Sequence, residues 1–156
     1  MNQNRRVLLK GTLAAGATGI AISAGLLTPK AALAAWPKAA FEAKDTKAAL
    51  EAALGSSSTT ESGDIKLKAP DIAENGAVVP ITVTSKIDGT EAISIVVAEN
   101  GTPLAATFNL GATTTGFVST RIKMGKTSDV IAVVKAGGKL YSTSKNVKVT
   151  IGGCGG

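Results

Sequence analysis

The chain has 156 residues with 17 basic and 11 acidic side chains, no histidine, one cysteine, and one tryptophan, one tyrosine and three phenylalanines. Without histidine there is no histidine base, histidine-ligated zinc or histidine-ligated haem, and a single cysteine builds neither a thiolate metal site nor an internal disulfide, so no cofactor is expected. The formal net charge of +6 is concentrated at the front, where Arg5, Arg6, Lys10 and Lys30 precede any acid; the rest is nearly balanced and lacks the basic, aromatic-interleaved stripe of a nucleic-acid binder.

In chain order, residues 1–34 read as an export signal. Arg5-Arg6 is followed by Val7-Leu8-Leu9-Lys10, then by a Gly- and Ala-rich apolar stretch from Gly11 to Leu27, then by Pro29. Ala32-Leu33-Ala34 offers small residues at both recognition positions of a signal peptidase, so cleavage is expected after Ala34. The paired arginines resemble a twin-arginine (Tat) signal, whose route carries folded proteins. The stretch is too short and too weakly apolar for a lasting bilayer span, and the mature chain is expected to be periplasmic and free of the membrane.

Residues 35–151 are expected to form one domain, a helix followed by a β-sandwich. The alanine-rich run Lys38 to Leu54 predicts a helix with a break near Asp45-Thr46 and a stop at Gly55. Ser56 to Thr60 reads as a linker. From Asp64 the texture changes to alternating Val, Ile and Thr, which predicts strands. Ile65 and Leu67 form a first strand ended by Pro70, and Asn75-Gly76 a turn. Val79, Ile81 and Val83 line one face of the next strand, with Asp88-Gly89 as a tight hairpin into Ile93, Ile95 and Val97. Further strands are expected at Leu104 to Leu110, Phe117 to Met124, Val130 to Lys135 (apolar on both faces), Leu140 to Ser144 and Val147 to Ile151, with Gly137-Gly138 as a turn. Short strands with one apolar face each need a second sheet, which points to a mainly antiparallel β-sandwich preceded by a helical segment. The alternating Arg121 and Lys123 need only a solvated outer face.

The sole cysteine, Cys154, stands in Gly152-Gly153-Cys154-Gly155-Gly156. Four glycines impose little dihedral restriction and no bulk, so residues 152–156 read as a thin swinging arm reaching roughly 10 to 16 Å, three to five extended residues at about 3.3 to 3.6 Å each. A thiol without fixed neighbours has no base and no oxyanion donor, which suits a carrier better than a self-contained enzyme. Three uses stay open on the residues alone: covalent carriage of a substrate, an intermolecular disulfide in a periplasmic assembly or adhesion protein, and an inert tail.

The terminal Val147-Lys148-Val149-Thr150-Ile151-Gly152-Gly153-Cys154-Gly155-Gly156, with Ala73-Glu74-Asn75-Gly76-Ala77-Val78-Val79-Pro80 and Thr120-Arg121-Ile122-Lys123-Met124, resembles the SoxY family of sulfur carriers of the bacterial Sox thiosulfate-oxidation system. Glu99-Asn100-Gly101-Thr102-Pro103 carries only part of that family's Asn-Pro-rich turn. The resemblance implies an immunoglobulin-like sandwich, a heterodimer with a SoxZ subunit, and covalent attachment of sulfur intermediates to Cys154, with Gly152, Gly153, Gly155 and Gly156 as the arm. It also implies transient partners that hold the redox cofactors and metals: a SoxAX cytochrome, a SoxB hydrolase and, where present, a sulfane dehydrogenase.

Overall fold

The computed structural model describes residues 37–150. The export signal expected at 1–34 and the glycine–cysteine arm at 152–156 lie outside the described residues.

The predicted helix is two: α1 (Lys38–Glu42) and α2 (Thr46–Leu54). The break expected near Asp45 has a physical cause. Asp45 is extended, and its side chain accepts the Ala48 N–H at 2.9 Å, capping α2. Gly55 ends α2 at φ 84°, and the Lys135 ammonium donates to the Leu54 carbonyl at 3.3 Å, placing a cation at the negative end of the helix.

Among the described residues nine strands follow: β1 (Thr60–Glu61), β2 (Ile65–Lys68), β3 (Ile72–Ala73), β4 (Val79–Ser85), β5 (Thr90–Val97), β6 (Leu104–Asn109), β7 (Phe117–Ile122), β8 (Ser128–Ala136) and β9 (Lys139–Val149). The larger sheet runs β1-β9-β8-β5-β6, with β3 also paired to β9; the smaller runs β2-β4-β7. All pairings are antiparallel except the two-residue contacts of β1 and β3 with β9. The architecture is mainly β, an immunoglobulin-like sandwich with helices on its N-terminal side, as the sequence leads one to expect.

Strand parity explains the layers. Ile93, Ile95, Val97, Val130, Ala132, Val134 and Val147 of the larger sheet meet Ile65, Val79, Ile81, Val83, Val118 and Ile122 of the smaller one. The opposite face, with Ala92, Val96, Val133 and Leu140, packs on Ala40, Ala49, Leu50 and Leu54 of the helices. Strands β5 and β8 are apolar on both faces because both are covered. Buried Ser94 is satisfied by the Thr107 hydroxyl at 2.8 Å, and buried Ser128 accepts the Glu99 N–H at 3.0 Å.

Two local expectations change. Asp88-Gly89 is no hairpin: it carries the chain from β4 in the smaller sheet to β5 in the larger, and a Ser85–Thr90 hydroxyl pair at 2.9 Å holds the corner. The reason lies in the strands. β4 alternates apolar and polar residues and fits an outer sheet, whereas the doubly apolar β5 needs cover on both faces. The segments expected as separate strands at Leu140 to Ser144 and Val147 to Ile151 belong, over the described residues, to one strand continuous from Lys139 to Val149, which Gly137 (φ 55°) and Gly138 (φ 72°) join to β8 in a two-residue hairpin.

Candidate functional site

The candidate attachment residue, Cys154, and its glycines Gly152, Gly153, Gly155 and Gly156 lie beyond the last described residue, Thr150. The structure therefore describes the base from which they extend, the C-terminal end of β9.

That end is held on two sides. On one, Asp71 to Glu74 run parallel to it: the Lys148 N–H donates to the Asp71 carbonyl (3.0 Å), the Thr150 N–H to the Ala73 carbonyl (3.1 Å), and the Thr150 hydroxyl to the Glu74 carbonyl (3.4 Å). On the other, the Val149 N–H donates to the Thr127 hydroxyl at 3.0 Å. The Lys145 ammonium fixes the 69–73 segment against β9, donating to the Ala69 carbonyl at 2.6 Å and pairing with the Asp71 carboxylate at 2.9 Å.

The Asn75-Gly76 turn forms as expected, with the Ala77 N–H on the Asn75 side-chain oxygen at 2.8 Å. Its Gly76 carbonyl accepts the Met124 N–H at 2.7 Å, which ties it to the end of β7. Asn100 ties a further loop to the same place, donating to the Lys123 carbonyl (2.8 Å) and accepting from the Gly125 N–H (3.0 Å). Three segments remote in sequence, 73–80, 120–124 and 147–150, thus converge at one end of the sandwich. Ile72 and Val78 are each more than half exposed beside it.

Sequence reasoning identifies Cys154 by its uniqueness and misses Thr127, Lys145 and the two short parallel strands. A two-residue strand has no periodicity to detect, and a threonine clamp is visible only once its partner strand is in place. Arg121 and Lys123 are exposed on the smaller sheet and its following loop, as a solvated face requires. Among the described residues, no cluster of three or more His, Cys, Asp or Glu side chains is arranged to hold a metal ion, and no helix is long and apolar enough to cross a membrane.

The family model for the sulfur oxidation protein SoxY matches residues 50–154. Among solved structures, the sulfur carrier protein SoxY from Chlorobium limicola f thiosulfatophilum is 47% identical, with a TM-score of 0.60 over 66% of this chain and 94% of that one. A lytic polysaccharide monooxygenase from Jonesia denitrificans aligns at 12% identity and a TM-score of 0.36, over 60% of this chain and 58% of that one. No protein of curated function matches significantly.

Proposed function

The chain belongs to the SoxY family of sulfur oxidation proteins, and from that premise we propose that it is a periplasmic sulfur carrier of thiosulfate oxidation whose intermediates ride on the Cys154 thiol. The observation that carries this reading is that the family match runs to residue 154, so it includes the only cysteine, four residues beyond an anchored strand end. Chain geometry limits the excursion of Cys154 from Thr150 to about 13 to 14 Å, enough to enter a partner's active site while the sandwich stays outside it. Glycine on both sides of the cysteine keeps the arm thin.

The chemistry divides between this chain and its partners. Loading joins the outer sulfur of thiosulfate to the Cys154 sulfur, and this S–S bond forms with loss of one proton and two electrons. A haem partner such as a SoxAX cytochrome accepts those electrons. Hydrolysis by a SoxB partner then adds the oxygen of water to the terminal sulfonate sulfur; sulfate leaves, two protons are released, and a persulfide stays on the cysteine. A sulfane dehydrogenase, where present, oxidises that remaining sulfur. The chain itself is a carrier subunit rather than an enzyme. SoxZ is its stable heterodimer partner, and the twin-arginine signal lets a folded pair leave the cytoplasm together.

The test is the intact mass of protein from thiosulfate-grown cells, purified without reductant. Expected are adducts on Cys154 of about 32 Da per sulfur, or about 112 Da for a thiosulfate unit, all removed by thiol reductant. A bare thiol throughout, or only a reducible homodimer, overturns the carrier reading in favour of a disulfide-linked assembly protein.

A further inference from the structure

The smaller sheet, β2-β4-β7, turns one face to the core, and its register sets what the other face carries. Lys66 pairs across to Thr84 and Thr84 to Phe117; Lys68 pairs to Thr82 and Thr82 to Ser119; Pro80 pairs to Arg121. Lys123 follows the last residue of β7 and repeats the outward parity of Arg121. Lys66, Lys68, Arg121 and Lys123 are all exposed, and between them the Thr82 and Ser119 hydroxyls pair at 3.2 Å. None of the chain's 11 acidic residues lies in β2, β4 or β7. Asp64 and Asp71 flank β2 beyond its two ends; the first has its carbonyl bonded to the Lys86 N–H, and the second is paired with Lys145. None of the four cations on the face makes an ion pair among the described residues.

The same face has a recess. β2 and β4 pair only from Ile65 opposite Ser85 to Lys68 opposite Thr82. Pro70 follows the end of β2, and Pro80 has no N–H to offer a neighbour, so the pairing stops there. An open hollow of about 390 Å³ results, lined by Lys68, Ala69, Pro70, Pro80 and Thr82. Two proline rings give it apolar walls, and Lys68 sets a cation beside them. Neighbouring strands lie about 4.8 Å apart and alternate residues about 7 Å, so the cations form a grid of about 10 Å across the sheet by about 7 Å along it.

We propose that the outward face of the smaller sheet is a docking surface for an acidic protein partner, which sets carboxylates against Lys66, Lys68, Arg121 and Lys123 and projects an apolar side chain into the hollow between Pro70 and Pro80. The inference does not depend on what Cys154 carries. Like charges crowded on one face repel, and an opposite potential relieves that repulsion. The chemistry suits a transient encounter: permanent interfaces are apolar and poor in charge at their centre, whereas this face is built of cations and hydroxyls. Complementary charge of this kind speeds association and makes it sensitive to salt. The hollow favours a protein over a lipid surface. Bilayers are gripped by apolar side chains that project from the protein, and here only Phe117 among the large apolar side chains of the three strands does so, while the recess needs a side chain from the other partner.

The experiment uses the isotopically labelled protein, with any subunit that stays bound to it, and the peptide Glu-Glu-Leu-Glu-Glu, blocked at both ends, as the probe. In low salt the peptide is expected to shift the backbone amide resonances of residues 66–69, 82–84 and 119–123 saturably, and about 1 M salt, where the screening length is about 3 Å, to abolish the shifts. Lys66→Glu combined with Lys68→Glu is expected to weaken binding at least about tenfold, whereas Lys47→Glu combined with Lys139→Glu, the same change of net charge away from this face, leaves it within about twofold. A peptide with glycine in place of leucine is expected to lose the shifts at Ala69 and Thr82 and to keep those at Arg121 and Lys123; unchanged shifts at Ala69 and Thr82 overturn the role of the hollow. Equal weakening by the two double reversals means attraction to net charge alone and overturns the docking face, as do shifts scattered over the molecule or no saturable shift at all. Phosphatidylglycerol vesicles that broaden these amides where the peptide shifts none overturn the protein partner in favour of a membrane. A bound subunit that already protects the same amides from exchange overturns the encounter and makes the face a permanent interface.

Discussion

Thr127 and Lys145 hold the C-terminal end of β9 in place. Each bonds to a backbone group, Lys145 in addition to its ion pair with Asp71, so each fixes a segment and not only a rotamer. Thr127→Val keeps the shape but removes the acceptor for the Val149 N–H; it is expected to cost about 1 kcal/mol and to speed hydrogen exchange at Val149 and Thr150 more than at the centre of β9. Unchanged exchange at those two amides would show that β3 alone holds the strand end. Lys145→Met leaves the Ala69 carbonyl and the Asp71 carboxylate without their cation. Because Asp71 is almost fully exposed, the ion pair adds little beyond the carbonyl bond. The expected loss is about 1 kcal/mol by denaturant unfolding, with faster exchange at Lys148, whose N–H reaches back to the segment that Lys145 holds. Cys154 is legible in the sequence because nothing else in the chain shares its chemistry. Thr127 is one threonine among many, and only the path of β9 past it gives it a task.

Capping and turn chemistry account for the elements that sequence reasoning locates well. Asp45 starts α2 because its carboxylate serves a backbone N–H that the helix leaves unpaired. Asp45→Ala is therefore expected to lower stability by about 1 kcal/mol, read as a reduced melting temperature. Gly137 and Gly138 both occupy the left-handed region that a two-residue hairpin requires. Asparagine tolerates that region and has fewer unfolded conformations than glycine, so Gly137→Asn is expected to stabilise the domain by about 0.5 kcal/mol; a lower melting temperature would mean that the turn needs glycine at both positions. The same dipeptide logic fails at Asp88-Gly89. Turn propensity says that the chain reverses there, but not whether the next strand pairs with the last one or crosses to another sheet. The faces decide: β5 is apolar on both sides and takes a central place beneath the helices, while β4 keeps threonines outward.

At the scale of the molecule, the described domain is held by two apolar layers, one between the sheets and one beneath the helices. Cys154→Ser is accordingly expected to leave the unfolding midpoint within about 0.5 kcal/mol of the parent while abolishing sulfur loading; a large loss of stability would make the thiol structural. By itself the sequence determines the helix-then-strands order, the aliphatic faces, most turns and the single thiol of the chain, because these follow from local periodicity, from backbone preference and from composition. The tertiary structure alone decides which strands share a sheet, that β5 and β8 are roofed by the helices, and that residues 73–80, 120–124 and 147–150 meet at the end of β9. It also brings Lys66, Lys68 and Arg121 to one sheet face. These are long-range pairings, selected by the simultaneous burial of faces on many strands, and no single segment contains the information that fixes them.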